Sequence, residues 1–289
     1  MNDDFKLGAI LIQNYPFPQI AEVAQRIEEV GWDTIWVADE FNISLECWTT
    51  LAGLANVTST IRLGSLISAI MLRHPAILAK TASTVDNLSN GRLEVGVGSG
   101  VPSDMDPVYR MTGIDEWQPG ERVKRFKEQV EILNLLLRLE KVTYKGQYYN
   151  LDECELTPRP MQKPRPPITI GAHGPRMLRI TAEFADRWNT HGEWRMTLDE
   201  TIETLESRIQ LFDDMCDDFG RKASDVVRSA LTYGQWESEA FTSIEKFEEI
   251  TNRFRDIGFQ EVIHYYPFWD DSKQGIFAAI DSDVLSGLR

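Results

Sequence analysis

Short apolar segments alternate with longer amphipathic segments along the chain. The short segments are predicted to be eight strands: Leu7–Ile12, Thr34–Val37, Ile61–Ser68, Leu93–Val97, Ile168–Ile170, Arg187–Thr190, Val227–Thr232 and Glu261–Tyr265. The longer segments are predicted to be helices: Pro18–Val30, Cys47–Thr58, Pro75–Leu88, Gly120–Arg138, Met177–Phe184, Leu198–Phe219, Ser243–Ile257 and Gly275–Ser286. Regular alternation of strand and helix indicates a parallel sheet. Eight strands favour an α/β fold of the closed (β/α)8 TIM barrel type over an open doubly wound sheet.

Two stretches are longer than the connections that such a barrel needs. We expect residues 1–289 to form a single barrel domain with insertions near 99–119 and 141–167, at the C-terminal ends of the strands. The polar segment Ser99–Pro119 is expected to act as a lid. The segment Lys141–Pro167 is predicted to be irregular, and its five prolines favour an extended polyproline path.

Composition narrows the range of partners. The chain has 30 Lys and Arg against 45 Asp and Glu, a net charge of −15, so nucleic acid and anionic membrane surfaces are not expected as partners. No apolar run is long enough to predict a membrane span. The three cysteines, Cys47, Cys154 and Cys216, lack CxxC spacing and predict neither a disulfide framework nor a zinc site. With no signal-peptide pattern at the start, we expect a cytoplasmic protein.

Polar residues gather where the predicted strands end, which is where barrel enzymes place their active sites. They include Asp39, Glu40, Ser68, Arg73, His74, Ser99, His173, His191, Glu193, Gln235, His264, Tyr265 and Tyr266. All four histidines of the chain follow or end a predicted strand, and we interpret them as members of a shared pocket. The alternative for any single histidine is a structural side chain with satisfied hydrogen bonds.

Several types of chemistry are disfavoured by missing motifs. No HxH or HExxH motif is present, so no metal site is predicted, and no GxSxG motif indicates a serine hydrolase. Gly96-x-Gly98-x-Gly100 departs from the dinucleotide fingerprint because its third glycine is misplaced. Gly171–Pro175 follows a strand and opens a helix, where backbone N–H groups attract phosphate. The alternative for Gly171–Pro175 is a plain turn.

Four segments together resemble the luciferase-like monooxygenase superfamily of flavin- and deazaflavin-dependent enzymes: Gly31–Glu40, Ile61–Gly64, Arg73–Gly100 and Pro167–Asn189. The resemblance implies a (β/α)8 barrel with FMN or coenzyme F420 lying across the strand ends. It also implies a small organic substrate, oxidised or reduced by hydride transfer or by peroxyflavin oxygenation, and a homodimer formed through the first helices, which an apolar stripe in Ile77–Leu88 permits. A non-catalytic barrel that has lost its cofactor is the alternative.

The same resemblance assigns residues to the site. A non-proline cis peptide near Leu66-Ile67 would support the cofactor ring, the alternative being an all-trans strand with a bulge. Gly98-Ser99-Gly100 would leave room for the ring to lie flat. The cofactor phosphate would meet the backbone at His173 and Gly174, with His191 nearby. The full set of cofactor-binding candidates is Asp39, Leu66, Ile67, Ser68, Gly98, Ser99, Gly100, Ala172, His173, Gly174, Pro175 and His191.

Glu40 and His74 are the candidates for proton transfer, because burial can tune a carboxylate and an imidazole toward neutral pH. The alternatives are that Glu40 only pairs with an arginine and that His74 only caps the helix at Pro75. Trp194 and Tyr266 either wall the substrate pocket or simply pack.

Two departures from relatives bear on the reaction. Sugar-oxidising deazaflavin members carry Asp-His where this chain has Asp39-Glu40, and an acidic residue where it has Val101. Both differences argue against sugar dehydrogenation. Ala38-Asp39-Glu40 is similar to the methylenetetrahydromethanopterin reductases, although Leu72–Pro75 lacks their preceding Asn-Pro-Tyr. The residues leave F420 and FMN as equal alternatives.

Overall fold

The computed structural model describes residues 5–11, 14–42, 44–105, 107–266 and 280. Its strands are β1 (Lys6–Leu11), β2 (Thr34–Val37), β3 (Arg62–Ser65), β4 (Ser68–Ala69), β5 (Leu93–Gly98), β6 (Lys141–Lys145), β7 (Asn150–Glu155), β8 (Ile168–Gly171), β9 (Arg187–Thr190), β10 (Val227–Leu231) and β11 (Glu261–Tyr265). The main sheet runs β3-β2-β1-β11-β10-β9-β8-β5, and β3 also pairs with β5. All these pairings are parallel. The eight strands therefore close into the predicted barrel.

Helices cover the outside of this barrel. They are α1 (Phe17–Val30), α2 (Cys47–Val57), α3 (Pro75–Leu88), α4 (Val108–Thr112), α5 (Pro119–Arg138), α6 (Pro175–Phe184), α7 (Leu198–Asp218) and α8 (Ile244–Asp256). Short 3₁₀ turns lie at Ile70–Leu72, Ala223–Asp225 and Glu237–Phe241. In the described part of the chain, no helix combines the length and the apolar character that crossing a membrane requires.

The interior of the barrel, near the N-terminal ends of the strands, holds a cluster of buried charged side chains. Arg187 contacts Glu94 at 3.4 Å and Glu261 at 2.7 Å, and Arg62 donates to Glu94 at 2.7 Å. The Trp36 ring lies 5.9 Å from the Arg187 guanidinium. These side chains fill the barrel below its C-terminal ends and form the base on which the site is built.

Several elements differ from the prediction. The third predicted strand, Ile61–Ser68, divides into β3 and β4 at the Leu66-Ile67 peptide, which is cis as the resemblance implied. The irregular structure predicted for Lys141–Pro167 is wrong in its first half, where β6 and β7 form an antiparallel hairpin. The peptide bonds before Pro158 and Pro164 are cis. The predicted helix Gly275–Ser286 lies outside the described residues except for Ile280.

The hairpin is held by one carboxylate on α5. Glu128 accepts hydrogen bonds from the backbone N–H groups of Gln147, Tyr148 and Tyr149 at 2.8 to 3.1 Å. The alternating pattern of β6 and β7 is too polar to stand out in the sequence, because most of their side chains stay partly or fully exposed. The contact between α5 and the hairpin turn thus stabilises a hairpin that the local sequence pattern does not predict.

The segment between β5 and α5 folds against the barrel. Val108 and Tyr109 of α4 are buried against Met71. The Tyr109 hydroxyl donates to the Val101 carbonyl at 3.0 Å, and Glu116 accepts from the Ser103 backbone at 2.9 Å. This packing places Val101 at the edge of the barrel mouth.

Candidate active site

A cavity of about 270 Å³ opens at the C-terminal ends of β2, β4, β5 and β8. Its lining residues are Asp39, Glu40, Leu66, Ile67, Ala69, Gly98, Ser99, Gly100, Val101, Gly171 and His173. Seven of the predicted cofactor-binding residues and one predicted catalytic residue, Glu40, are in this set. The strand ends thus bring together residues that are more than 130 positions apart in the chain.

The Ile67 side chain lies across the glycines that end two strands. A Cβ at Gly98 would lie 2.8 Å from Ile67 Cγ2, and one at Gly171 would lie 2.1 Å from Ile67 Cδ1. A Cβ at Gly100 would lie 2.3 Å from Met71 Cε. The absent side chains of Gly98 and Gly100 make room for Ile67 and Met71, and both glycines also line the cavity, where the space for a ring stays a prediction. The glycines also allow Ile67 to form an apolar platform.

Asp39 is held in place by Arg73. The guanidinium donates to both Asp39 oxygens, at 2.5 and 3.0 Å, and also contacts Glu46. Ser68 donates to Asp39 at 2.8 Å and accepts from Trp48 Nε1 at 3.1 Å. Burial alone would lower the pKa of Arg73, but its bonds to Asp39 and Glu46 raise it. Asp39, the neighbour of Glu40, thus pairs with an arginine, and Ser68 is hydrogen-bonded to Asp39.

Glu40 lies on the exposed side of the cavity, near Tyr265 at the end of β11. Burial raises the pKa of Tyr265, and the charges of Glu237 and Glu40 raise it further, so its phenol stays protonated at neutral pH. Tyr266 is buried against Trp32, with ring centroids 5.7 Å apart. Of the two alternatives considered for Tyr266, the structure therefore shows a packing residue. Trp194 is exposed and lies 5.5 Å from the Tyr233 ring.

His173 and His191 are neighbours, with ring centroids 4.2 Å apart. Arg208 Nη1 lies 3.1 Å from His173 Nδ1, and because a guanidinium can only donate, Nδ1 must be the unprotonated nitrogen. His173 therefore carries its proton on Nε2. His191 Nδ1 lies 2.5 Å from the Gly192 carbonyl, which can only accept, so His191 carries its proton on Nδ1.

Both imidazoles are neutral. Burial lowers the pKa of His173 most, and the charges of His191 and Arg208 lower it further, against the effect of a hydrogen bond to the His191 backbone. The ring also lines the open cavity. Burial also lowers the pKa of His191, against the effect of its bond to Gly192. The pair thus offers one N–H donor, on His173, and one acceptor nitrogen, on His191.

The shared pocket predicted for four histidines is wrong for the other two. His264 points out of the barrel, fully buried, and bonds Thr251 Oγ1 at 3.0 Å. His74 is exposed and caps α3, with its Nδ1 accepting from the Ala76 N–H at 3.2 Å. Ala172 is buried between the barrel and its helices rather than in the cavity lining, because alternate residues of a strand face opposite sides.

The N-terminus of α6 adjoins His173. Gly174 is the N-cap and Pro175 the first helical residue. A Cβ at Gly174 would meet nothing within 4 Å, so there is open space before the orphan N–H groups of this helix. Arg208 stands behind His173, and its Nη1 also donates to Thr190 Oγ1 at 2.5 Å and to the His191 carbonyl at 2.8 Å.

Arg208 is the main residue that the sequence reasoning missed. It lies on α7, 35 positions from His173, so no local motif includes it. A signal was nevertheless available, because Arg208 is the one basic residue in the otherwise acidic helix Leu198–Asp218. An isolated cation on such a helix indicates a specific partner.

The fold and the site define a TIM barrel with a ligand cavity at its C-terminal face. Residues 5–230 match the family model for luciferase-like monooxygenases. The chain belongs to this family, as the sequence segments indicated.

Three known proteins show the range of its relatives. An F420-dependent glucose-6-phosphate dehydrogenase of Kineococcus radiotolerans is 29% identical over 180 residues, 58% of this chain and 50% of that protein. The oxygenase component of a flavin-dependent trigonelline monooxygenase from Acinetobacter baylyi is 29% identical over 169 residues, 56% and 45% of the two chains. The chain thus spans about half the length of the curated relatives it matches.

A solved structure shares the fold over the whole length. The coenzyme F420 dependent tetrahydromethanopterin reductase from Methanopyrus kandleri superposes with a TM-score of 0.82 at 17% identity, covering 99% of this chain and 100% of that one. The similarity establishes the barrel architecture independently of the strand count.

Proposed function

We propose that this protein is a flavin- or deazaflavin-dependent oxidoreductase that binds its cofactor at the barrel mouth. The observation that carries the proposal is a single continuous arrangement: the Ile67 platform, the neutral His173 donor and the open N-terminus of α6. An apolar surface suits a planar ring, and helix N–H groups with a nearby cation suit an anionic tail. Membership of the luciferase-like family supports the same reading.

The residues present fit such a group. Leu66, Ile67, Gly98, Ser99 and Gly100 border the space for the ring. His173, Gly174, Pro175 and His191 border the space for the anionic tail, with Arg208 supplying positive charge from behind. When bound, a reduced deazaflavin supplies a hydride, and a reduced flavin can instead activate oxygen. The protein positions the substrate and supplies the groups that transfer protons.

Glu40 is the residue we assign to proton transfer. It lines the cavity, whereas His74 lies outside the lining and caps α3. The charge of Glu40 also raises the pKa of the Tyr265 phenol, which stays protonated at neutral pH. A carboxylate in the cavity lining can accept or return a proton at the reacting atoms.

The relatives support both cofactors. One is F420-dependent and another flavin-dependent, at equal identity. The alternative of a non-catalytic barrel is not favoured, because these relatives are enzymes and the cavity retains its polar residues. The glutamate at position 40 and Val101 continue to argue against sugar as the substrate.

Direct binding tests the proposal. Purified protein is titrated with F420 and with FMN, each oxidised and reduced, and fluorescence quenching is followed. Gly174→Glu should weaken binding about tenfold or more, because a carboxylate would occupy the space for the anion. Ser224→Glu adds a carboxylate to the exposed turn that precedes β10, at the opposite end of the barrel, and as the matched control it should bind as the wild type does. If wild-type protein binds neither cofactor, the proposal fails.

We further propose a homodimer and a cytoplasmic location. Ile77 and Leu88 are exposed on α3, which supports association through the first helices. All three cysteines have free thiols, which is typical of a reducing compartment. Light scattering of the pure protein and cell fractionation test these two points.

A further inference from the structure

Two tyrosines border the open C-terminal end of the barrel interior. Alternate residues of a strand face the same side, so on β10 the inward residue Leu231 is followed two positions later by Tyr233. On β11, Ile263 is followed in the same way by Tyr265. Both tyrosines pack on the inner apolar cluster that contains Leu231 and Ile263, and both are only partly buried. Their phenol rings therefore stand above this cluster, at the mouth of the barrel.

The two tyrosines are neighbours across parallel strands. Leu231 pairs with Ile263, and the Thr232 N–H donates to the Ile263 carbonyl at 2.9 Å, which continues the ladder beyond β10. Extending this register by two residues places Tyr233 beside Tyr265, on backbones about 4.8 Å apart. The two phenol groups therefore face the mouth side by side.

Among the described residues, neither phenol hydroxyl has a hydrogen-bond partner. Burial raises the pKa of Tyr265 most, and the charges of Glu237 and Glu40 raise it further, so this phenol keeps its proton at neutral pH. A partly buried O–H group gains free energy when a ligand supplies the acceptor that the protein does not. Tyr233 and Tyr265 thus favour a ligand with an acceptor atom.

The tyrosines and the Ile67 platform lie on opposite sides of the mouth. In the closed order of strands β10 is four positions from β3, and Ile67 lies between β3 and β4. Neither tyrosine is among the residues that line the cavity assigned to the cofactor ring. The Tyr233 and His191 rings have centroids 4.7 Å apart, and His191 contacts His173, so a wall of rings connects the tyrosines with the start of α6. A substrate lying on the cofactor ring over Ile67 would face both phenols.

We propose that Tyr233 and Tyr265 bind the substrate by donating hydrogen bonds to a carbonyl oxygen, which makes a carbonyl compound the substrate class. A carbonyl oxygen carries two lone pairs and accepts two donors, which suits two phenols on adjacent strands. The inference deepens the proposed function and rests on it for the reaction, whereas binding of the carbonyl compound can be measured independently.

Binding of cyclohexanone tests this assignment. The full chain, alone and with saturating oxidised FMN or F420, is titrated with cyclohexanone labelled with carbon-13 at the carbonyl, and binding is followed by NMR. Methylenecyclohexane, which has the same ring and no oxygen, is the comparison probe. Tyr233→Phe and Tyr265→Phe keep the rings and their packing. Each should raise the Kd of cyclohexanone about fivefold and leave that of methylenecyclohexane unchanged.

The labelled carbonyl reports the hydrogen bonds themselves. Its resonance moves upfield when a donor is lost, so the bound ketone should resonate upfield in each single variant and further upfield in the double variant. Tyr148→Phe is the matched control, because Tyr148 is also partly buried but lies in the hairpin turn, with its ring 4.3 Å from the Arg125 guanidinium. It should match the wild type in both Kd and carbonyl resonance.

Three results would overturn the proposal: no binding of cyclohexanone by the wild type, phenylalanine variants that bind it as the wild type does, or an equal loss for methylenecyclohexane. Tighter binding of cyclohexanecarboxylate than of cyclohexanone, with the same dependence on the tyrosines, would assign the hydroxyls to an anion and also refute it. Dependence on the tyrosines in a chain that binds neither FMN nor F420 would support the carbonyl site and refute the proposed function alone.

Discussion

At the scale of single residues, the contact between Arg208 and His173 determines what the site can offer. A guanidinium 3.1 Å from Nδ1 leaves no place for a proton on that nitrogen. His173 is therefore a neutral donor through Nε2, and the permanent positive charge belongs to Arg208. An anion held in this way is bound independently of histidine protonation near neutral pH.

Replacing Arg208 with methionine should release this constraint. Without the cation, we expect the pKa of His173 to rise and the proton to be shared between its two nitrogens. Binding of FMN or F420 should weaken about tenfold, as for loss of a charge-assisted hydrogen bond. Nitrogen-15 NMR of labelled histidines reports the tautomer, and fluorescence quenching reports the affinity.

The conservative variant Arg208→Lys serves as the control, because it retains the charge and should retain more of the affinity. A protonated Nδ1 in the wild-type protein would contradict this account of the contact. An unchanged tautomer in Arg208→Met would contradict it as well.

At the scale of elements, the ends of β5 and β8 fit together through the side chain of a third segment. Ile67 lies between β3 and β4 and fills the space beside Gly98 and Gly171. The glycines at these two strand ends and the Ile67 side chain therefore form one structural unit.

Gly171→Ala should destabilise the protein by about 1–3 kcal/mol, because its Cβ would lie 2.1 Å from Ile67 Cδ1. Shortening the neighbour in the double variant Gly171→Ala, Ile67→Ala should recover part of that loss relative to the sum of the two single changes. Urea unfolding measures all the variants. Gly174→Ala should cost less, about 0.5–1 kcal/mol, because its φ is −94° and its Cβ would be in open space, so the loss is only that of a poorer N-cap residue. Simple additivity of the two changes would refute the predicted contact.

At the scale of the whole molecule, the buried charges inside the barrel connect strands from both halves of the chain. Arg187 on β9 pairs with Glu94 on β5 and Glu261 on β11, all nearly inaccessible to water. Burial would raise the pKa of Glu94, but Arg187 and Arg62 lower it below its ordinary value. The contribution of Glu94 to stability is therefore present above about pH 4.5 and is lost as the pH falls below that value.

Arg187→Met should reverse this dependence. Without Arg187, the buried carboxylate of Glu94 keeps only Arg62, so its pKa rises above its ordinary value and the variant gains stability as the pH falls from 7 toward 5. At pH 7 we expect a loss of about 3–5 kcal/mol. Unfolding in urea across this pH range measures both effects.

Arg187→Lys keeps the charge and should show a smaller loss with the wild-type pH trend. Arg179→Met removes an exposed pair with Asp218 and should cost less than about 1 kcal/mol. If Arg187→Met instead loses stability on acidification as the wild type does, the cluster does not act as described.

The prediction of elements succeeded where one local pattern was sufficient. Apolar strands such as Thr34–Val37 and Arg187–Thr190 were predicted with their observed bounds. The hairpin of β6 and β7 was missed, because Glu128 on α5 holds its turn. His264 was placed in the pocket because it precedes a strand end, but alternation along β11 turns it outward.

The sequence by itself determined the barrel, its family and the strand ends that carry the site, because strand and helix periodicities and short motifs depend on neighbouring residues. Only the tertiary structure decided that Ile67 fills the glycine ends, that Asp39 pairs with Arg73, and that Arg208 makes His173 a neutral donor. Those outcomes depend on side chains that are distant in the chain and meet only when the barrel closes.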